Sequence, residues 1–289
     1  MKTSLIFPMM FILSVGSGLT ALAHNGKNMS VEDAIKNKLV TVSIKGLGGY
    51  TGDVIAIKMK NLFDHVVTMG VEAGRRLDSQ NQKDQDILVN RAVTLSLMPH
   101  ESKTFLVSGM CCQAHHAGPT NKSEFSIGKM ADTNLVKLAR YIDLNKWHSN
   151  SIAQKAVWVV SDNNPMEDIG GYDPVSKKLQ AFITKLTGKE IPKYKVEYEH
   201  TEDGGAVYSG VPASIKGTFE YQTYTNGLVT FGIYDAAGHV VQMFFADVPR
   251  EQGFYIFDYE FKTSNLPSGT YFARFRFDGQ VRKEQKFTF

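Results

Sequence analysis

Apolar and polar residues alternate along most of this chain in short runs with a period of two, the mark of half-buried strands, and only a central stretch shifts to a helical period. Ser30 suits the N-cap of a short helix over 31–37, with Glu32 and Asp33 in its first turn. Leu39, Val40, Val42 and Ile44 then alternate into Gly46, Gly48 and Gly49, and the alternation resumes from Asp53 to Asn61. Those glycines predict a hairpin turn. A phosphate-binding loop would need a Lys-Ser/Thr ending and a following helix, and neither is present. Further strand runs cover 65–71, 86–90, 93–97 and 103–110, and the polar 75–85 segment reads as an exposed connection. Strands at this spacing with no long helix between them predict an antiparallel β-sandwich.

After Pro119 the period changes. Leu135, Leu138, Ala139 and Ile142 share one helical face, Ile152, Ala153, Ala156, Val157 and Val160 a second, and Val175, Leu179, Phe182, Ile183 and Leu186 a third. Asp173 as N-cap, Pro174 at the first helical position and Gly188 as C-cap mark the ends of the third. The segment 191–212 reads as a linker with one strand over 194–198. Six strand runs follow, over 213–222, 228–234, 240–245, 254–261, 271–277 and 284–289, separated by turns such as Asn226-Gly227 and Asp278-Gly279. The predicted fold class is therefore α+β. An antiparallel sandwich with a three-helix layer occupies 24–190, and an all-β immunoglobulin-like sandwich occupies 213–289.

Composition narrows the function. With 43% hydrophobic and 21% charged residues and a net charge of +3, the chain has ample apolar residues for cores, and its Lys and Arg are scattered, which argues against nucleic acid as a partner. Residues 1–23 pair a single Lys with an apolar run from Leu5 to Val15 and small residues Ala21 and Ala23, a secretory signal pattern. No later stretch reaches the ~20 apolar residues of a spanning helix, so no transmembrane segment is expected after cleavage.

Export changes how the two cysteines are read, because thiols outside the cytoplasm tend to be oxidised or occupied. Cys111 and Cys112 are adjacent at a predicted strand end, two residues before His115 and His116. A vicinal disulfide, a pair of inert buried thiols, and a soft-metal site on Cys111, Cys112, His115 and His116 all remain open. Gln154 and Trp158 lie on the second helical run. Their ordinary roles are a backbone cap for the Gln and core filling for the Trp.

Two resemblances add to this. Gln154, Ala156, Val157 and Trp158 resemble the Gln motif of bacterial thioester domains, in which a Cys is joined to a Gln. A thioester adhesin-like centre is thus a fourth possibility for Cys111 and Gln154. The wider run of Gly48, Gly49, Asn61, Ala73, Gly74, Gln85, Asp86 and Cys111 is similar to uncharacterised secreted bacterial domains, which imply no activity. At the other end, Asp235 to Gly238, Leu266 to Tyr271 and Lys286 resemble the C-terminal sorting domain of the type IX secretion system of Bacteroidota. That resemblance implies a docking label recognised by the secretion machinery.

No G-x-S-x-G, H-E-x-x-H or paired-carboxylate signature occurs, and the two histidines share a loop with the cysteines, so no hydrolase triad is spelled out. The expectation is a non-enzymatic protein without a cofactor. It would be exported to the cell surface, the exterior or the periplasmic face of the outer membrane, where it binds a protein partner of the envelope or secretion machinery.

Overall fold

A computed structural model of the chain describes residues 29–171, 173–199 and 208–289. The signal pattern over 1–23 lies outside the described residues, as does 200–207 within the expected linker.

Strands β2 (Val40–Gly46), β3 (Thr51–Asn61), β5 (Arg75–Ser79), β6 (Ile87–Val89), β8 (Ser102–Cys111) and β9 (Glu124–Met130) close into a barrel in the order β2-β3-β8-β6-β5-β9, with every pairing antiparallel. The predicted sandwich thus takes the form of a barrel. Strands β1 (Met29–Ser30), β4 (Val67–Val71) and β7 (Val93–Leu97) make a small separate sheet, which packs with α1 (Val31–Lys36) into the same core. A six-stranded barrel has an interior only wide enough for side chains. Ile44, Ile55, Ile57, Leu77, Ile87, Val89, Val107 and Phe125 belong to that core.

Helices α2 (Thr133–Leu144), α3 (Ser151–Ser161) and α4 (Pro174–Thr187) form one layer against the outside of β6 and β8. The faces of α2 and α4 follow the predicted periodicity, α3 buries Gln154, Trp158 and Val159 beyond its predicted face, and Asp132, Asn150 and Asp173 cap the three N-termini. Because this part of the barrel is covered on both sides, β6 and the end of β8 are buried at every position rather than at every second one. Alternate residues point into different cores. Ile87, Val89 and Cys111 face the barrel, whereas Leu88, Met110 and Cys112 face the helices.

Two features depart from the sequence reading. The segment expected as an exposed connection begins with β5, and Arg75 is 2% exposed. Its guanidinium is held by Glu72 at 2.8 Å, by Glu32 and by the carbonyl of Gly128 at 3.0 Å, so the charge is buried only because it is fully paired. Strand β9, which no run above predicts, closes the barrel between β5 and β2.

Close packing leaves no room at Gly109, opposite Val89, where an added Cβ would lie 2.3 Å from Ile87 Cγ2. Gly109→Ala should therefore lower stability by about 1–3 kcal/mol through overpacking, read as an earlier denaturant midpoint. An unchanged midpoint would show that the barrel yields there.

The C-terminal region is a two-layer sandwich. One sheet orders β10 (Tyr194–Tyr198), β11 (Pro212–Thr223) and β14 (Gly253–Lys262); the other orders β13 (Val240–Arg250), β12 (Gly227–Asp235), β15 (Thr270–Phe277) and β16 (Gln280–Thr288). Between them lie Phe219, Phe231, Phe261, Phe275 and Phe287. The expected strand at 194–198 is thus the first strand of this sandwich.

Candidate functional site

The seven residues from Cys111 to Ala117 form a loop whose peptide groups are almost all engaged by named partners. Gln154, on α3, places its side-chain amide flat against the peptide of Cys111: Nε2 donates to the Cys111 carbonyl at 2.9 Å and Oε1 accepts from the Cys111 amide at 2.9 Å. The side chain acts as one more residue of a neighbouring strand. Gln154 is 1% exposed and Cys111 is fully buried, so both bonds lie in a dry environment where an unpaired peptide group is costly.

The rest of the loop is fixed in the same way. Cys112 donates its amide to Asp86 O at 2.9 Å, and Gln113 donates its own to Gln85 Oε1 at 3.1 Å. The Gln113 side chain closes a reciprocal pair with Asp86, accepting from its amide at 2.6 Å and donating to its carboxylate at 2.7 Å. Ala114 donates to Asp162 Oδ2 at 3.2 Å, and Gln85 Nε2 donates to His116 O at 3.1 Å. Gln85 and Asp86 on one side and Gln154 and Asp162 on the other therefore form a rigid cradle.

The four Cys and His side chains do not converge. Cys111 points into the barrel core and Cys112 into the helical layer, because consecutive residues of a strand face opposite sides. Both thiols are free and buried. That geometry separates the sulfurs, so it disfavours both the vicinal disulfide and a shared metal ion, and among the described residues no group of three or more His, Cys, Asp or Glu is placed to hold a metal. Burial pushes both thiols well above their ordinary pKa; the Cys112 charge adds to this at Cys111, and the Asp86 carboxylate adds to it at Cys112. The thiolate, which is the nucleophile and the metal ligand, is thus strongly disfavoured at either position.

His115 is exposed and meets the Tyr208 ring edge-on at 5.5 Å, whereas His116 has a buried Nδ1 without a hydrogen-bond partner among the described residues. Trp158 is 4% exposed and packs near Tyr208 at 6.1 Å. Gln154 as a backbone partner and Trp158 as core filler are the ordinary roles that the sequence suggested for them.

Beside the loop lies a polar cluster that sequence reasoning missed. Asp168, fully buried in the 3-10 turn Met166–Ile169, accepts from Tyr198 at 2.5 Å and from Asn164 at 3.2 Å. Burial raises the Asp168 pKa against the opposing hydrogen bonds of Tyr198 and Asn164, and burial raises the phenols of Tyr198 and Tyr208 as well. Lys155 is lowered by burial and by Lys195. Tyr198 lies on β10, so this cluster ties the C-terminal sandwich to α3 and the 3-10 turn. Nothing in the local sequence around 168 or 198 signals it, since the partners stand 30 residues apart. Tyr198→Phe should lower stability by about 1.5–3 kcal/mol, the range for a hydrogen bond to a charged group. Denaturation monitored separately by Trp fluorescence and by far-UV signal checks this, and no loss would remove Asp168 as the tie.

Two of the positions that carry the sorting-domain resemblance, Gly238 and Tyr271, have structural roles. Gly238, at φ 90°, closes a turn in which it donates to Asp235 O at 3.1 Å. Tyr271 is buried, donates its hydroxyl to Pro267 O at 2.7 Å and stacks on Phe289 at 4.9 Å.

No family model matches the chain, and no curated protein matches it. Among solved structures, the crystal structure of red sea bream transglutaminase aligns over 89% of this chain and 32% of its own, at 8% identity and a TM-score of 0.22. The chain thus spans about a third of that protein's length, and an alignment at that score transfers neither fold nor activity. Among the described residues no helix is long and apolar enough to cross a membrane.

Proposed function

We propose that this is an exported bacterial envelope protein that works by binding, as a subunit of a surface or outer-membrane assembly, with no chemistry at Cys111–His116. The observation that carries this reading is the locked pairing of the Gln154 amide with the Cys111 peptide, beside two thiols that face different cores. A centre arranged this way holds a loop in shape. The C-terminal sandwich, read as an immunoglobulin-like docking module of the sorting-domain kind, supplies the contact with secretion machinery or partner. Fractionation of the source cells tests the location: the account expects the chain in surface or outer-membrane fractions, also when both cysteines are replaced by Ala. Retention in the cytoplasm, or loss of surface display in that variant despite normal folding, would overturn it.

A second reading is favoured by one observation. Fold geometry brings together Cys111 and Gln154, 43 residues apart, which are the two positions that the thioester-domain resemblance pairs. In that reading Cys111 Sγ bonds to the side-chain carbonyl carbon of Gln154, and the amide nitrogen leaves with the thiol proton as one ammonia.

A further inference from the structure

The two outer faces of the C-terminal sandwich are chemically opposite. On the four-stranded sheet, Arg274 lies 5.1 Å from the Tyr234 ring and 5.0 Å from the Phe272 ring, and Arg276 lies 5.4 Å from Tyr234. Stacking fixes both guanidiniums in place. Arg274 is paired with Glu284 at 2.5 Å, but Arg276 has no carboxylate within ion-pair distance among the described residues, and its Nε is a buried donor without a hydrogen-bond partner. Around this ladder stand Val240, Met243, Leu228 and Val281, each 40% exposed or more. Acidic groups on the same face are engaged: Glu284 by Arg274 and Asp247 by the Thr230 hydroxyl at 3.0 Å.

The three-stranded sheet presents the complement. Phe254 and Ile256 on β14 are each 61% exposed, and the register sets Ile256 opposite Glu220 and Asp258 opposite Thr218. Glu220 has no cationic partner within ion-pair distance among the described residues, whereas Asp258 accepts from the Thr218 hydroxyl at 2.6 Å and Lys216 is taken up by Glu197 at 3.0 Å and Glu260 at 3.5 Å. One cation comes near: Lys283 donates to the main-chain carbonyl of Glu220 at 2.8 Å. Strand β14 is moreover the edge of its sheet.

We propose that a second copy of this chain covers these faces, the Arg276 face of one sandwich seating on the Phe254–Ile256 face of the next. Arg276 would meet Glu220 while Met243 and Val240 cover Phe254 and Ile256. Arg, Tyr, Phe and Met are the residues enriched at the centres of protein interfaces. The faces lie on opposite sides of one sandwich, so the contact is head-to-tail, and such contacts repeat into rings or filaments rather than ending at a symmetric pair. Three strands spaced ~4.8 Å apart offer less than the ~800 Å² per partner of a standard interface, so association is weak and concentration-dependent. This extends the proposed role as an assembly subunit and is independent of the state of Cys111.

Sedimentation equilibrium on the purified chain, from low micromolar to about 1 mM, tests it. The weight-average mass should rise beyond that of a dimer, and Arg276→Glu or Ile256→Lys should each weaken association about tenfold or more. If Arg276→Glu loosens the Tyr234 stack, Met243→Glu at the exposed rim serves instead. Mixing Arg276→Glu with Ile256→Lys leaves one intact interface, and the mixture should form a 1:1 dimer that grows no further. A mass fixed at the monomer, variants that still associate, or a mixture that stays monomeric would each overturn the stacking, while leaving a different envelope partner to be tested by the fractionation above.

Discussion

Replacing Gln154 with Ala is expected to remove about 3–5 kcal/mol of folding stability, a third or more of what a domain of this kind holds. Two buried peptide groups of Cys111 lose their partner together, at about 1–3 kcal/mol each, and a cavity opens between α3 and the end of β8. Only a weak alternative remains for the amide, the carbonyl of Tyr50 at 3.4 Å. Gln154→Glu should be no milder, because a carboxylate keeps an acceptor for the amide but turns an oxygen against the Cys111 carbonyl. Denaturant titration reads both, and a loss under about 1 kcal/mol for Gln154→Ala would mean that the loop does not depend on this pairing.

The second large effect is alkaline. A thiol whose folded pKa lies above its unfolded value keeps its proton in the folded chain while the unfolded chain gives it up. Its contribution is therefore intact below the ordinary thiol value of about 8.5 and is lost as the pH climbs toward the folded value. Each such group removes about 1.4 kcal/mol per pH unit in that window. Cys111 and Cys112 act in the same direction, so stability should fall steadily as the pH climbs past the ordinary thiol value. The phenols of Tyr194, Tyr198 and Tyr208, raised by burial, steepen the fall from about pH 10. Stability against pH for the native chain and for a Cys111→Ala, Cys112→Ala variant checks the assignment. The variant should show no such fall between about pH 8.5 and 10, and parallel slopes would mean that the thiols are not buried as protonated groups.

Much of this architecture is written in local pattern. Period-two runs mark most strands because one face is core and the other water, and the third helix is legible from Asp173, Pro174 and Gly188 because capping chemistry is local. Where sequence reading failed, the cause was long-range. Arg75 looks like a loop residue until Glu32, Glu72 and Gly128 surround it, and β9 is recognisable only once β5 and β2 lie on either side.

The site divides along the same line. Cys111 and Gln154 were singled out by residue type and motif, and the fold does bring them together, but through the Cys111 main chain, which no motif encodes. Four neighbouring donors, two Cys and two His, suggested a shared ion; strand alternation sends the sulfurs apart. The clasp of Asp168, Tyr198 and Tyr208 consists of residues that are individually ordinary. Only their burial in one place makes them a unit.

The claim on which the functional reading rests is that Cys111 and Gln154 are held together without a covalent bond. Intact mass of the chain, purified from its own source without reductant and measured under denaturing conditions, tests it most directly. The account predicts the mass of a chain with both thiols free and every side-chain amide present, and two equivalents of a thiol-alkylating reagent taken up after unfolding. A mass lower by one ammonia, with one thiol silent and Gln154→Ala abolishing the difference, would contradict it and establish the thioester instead.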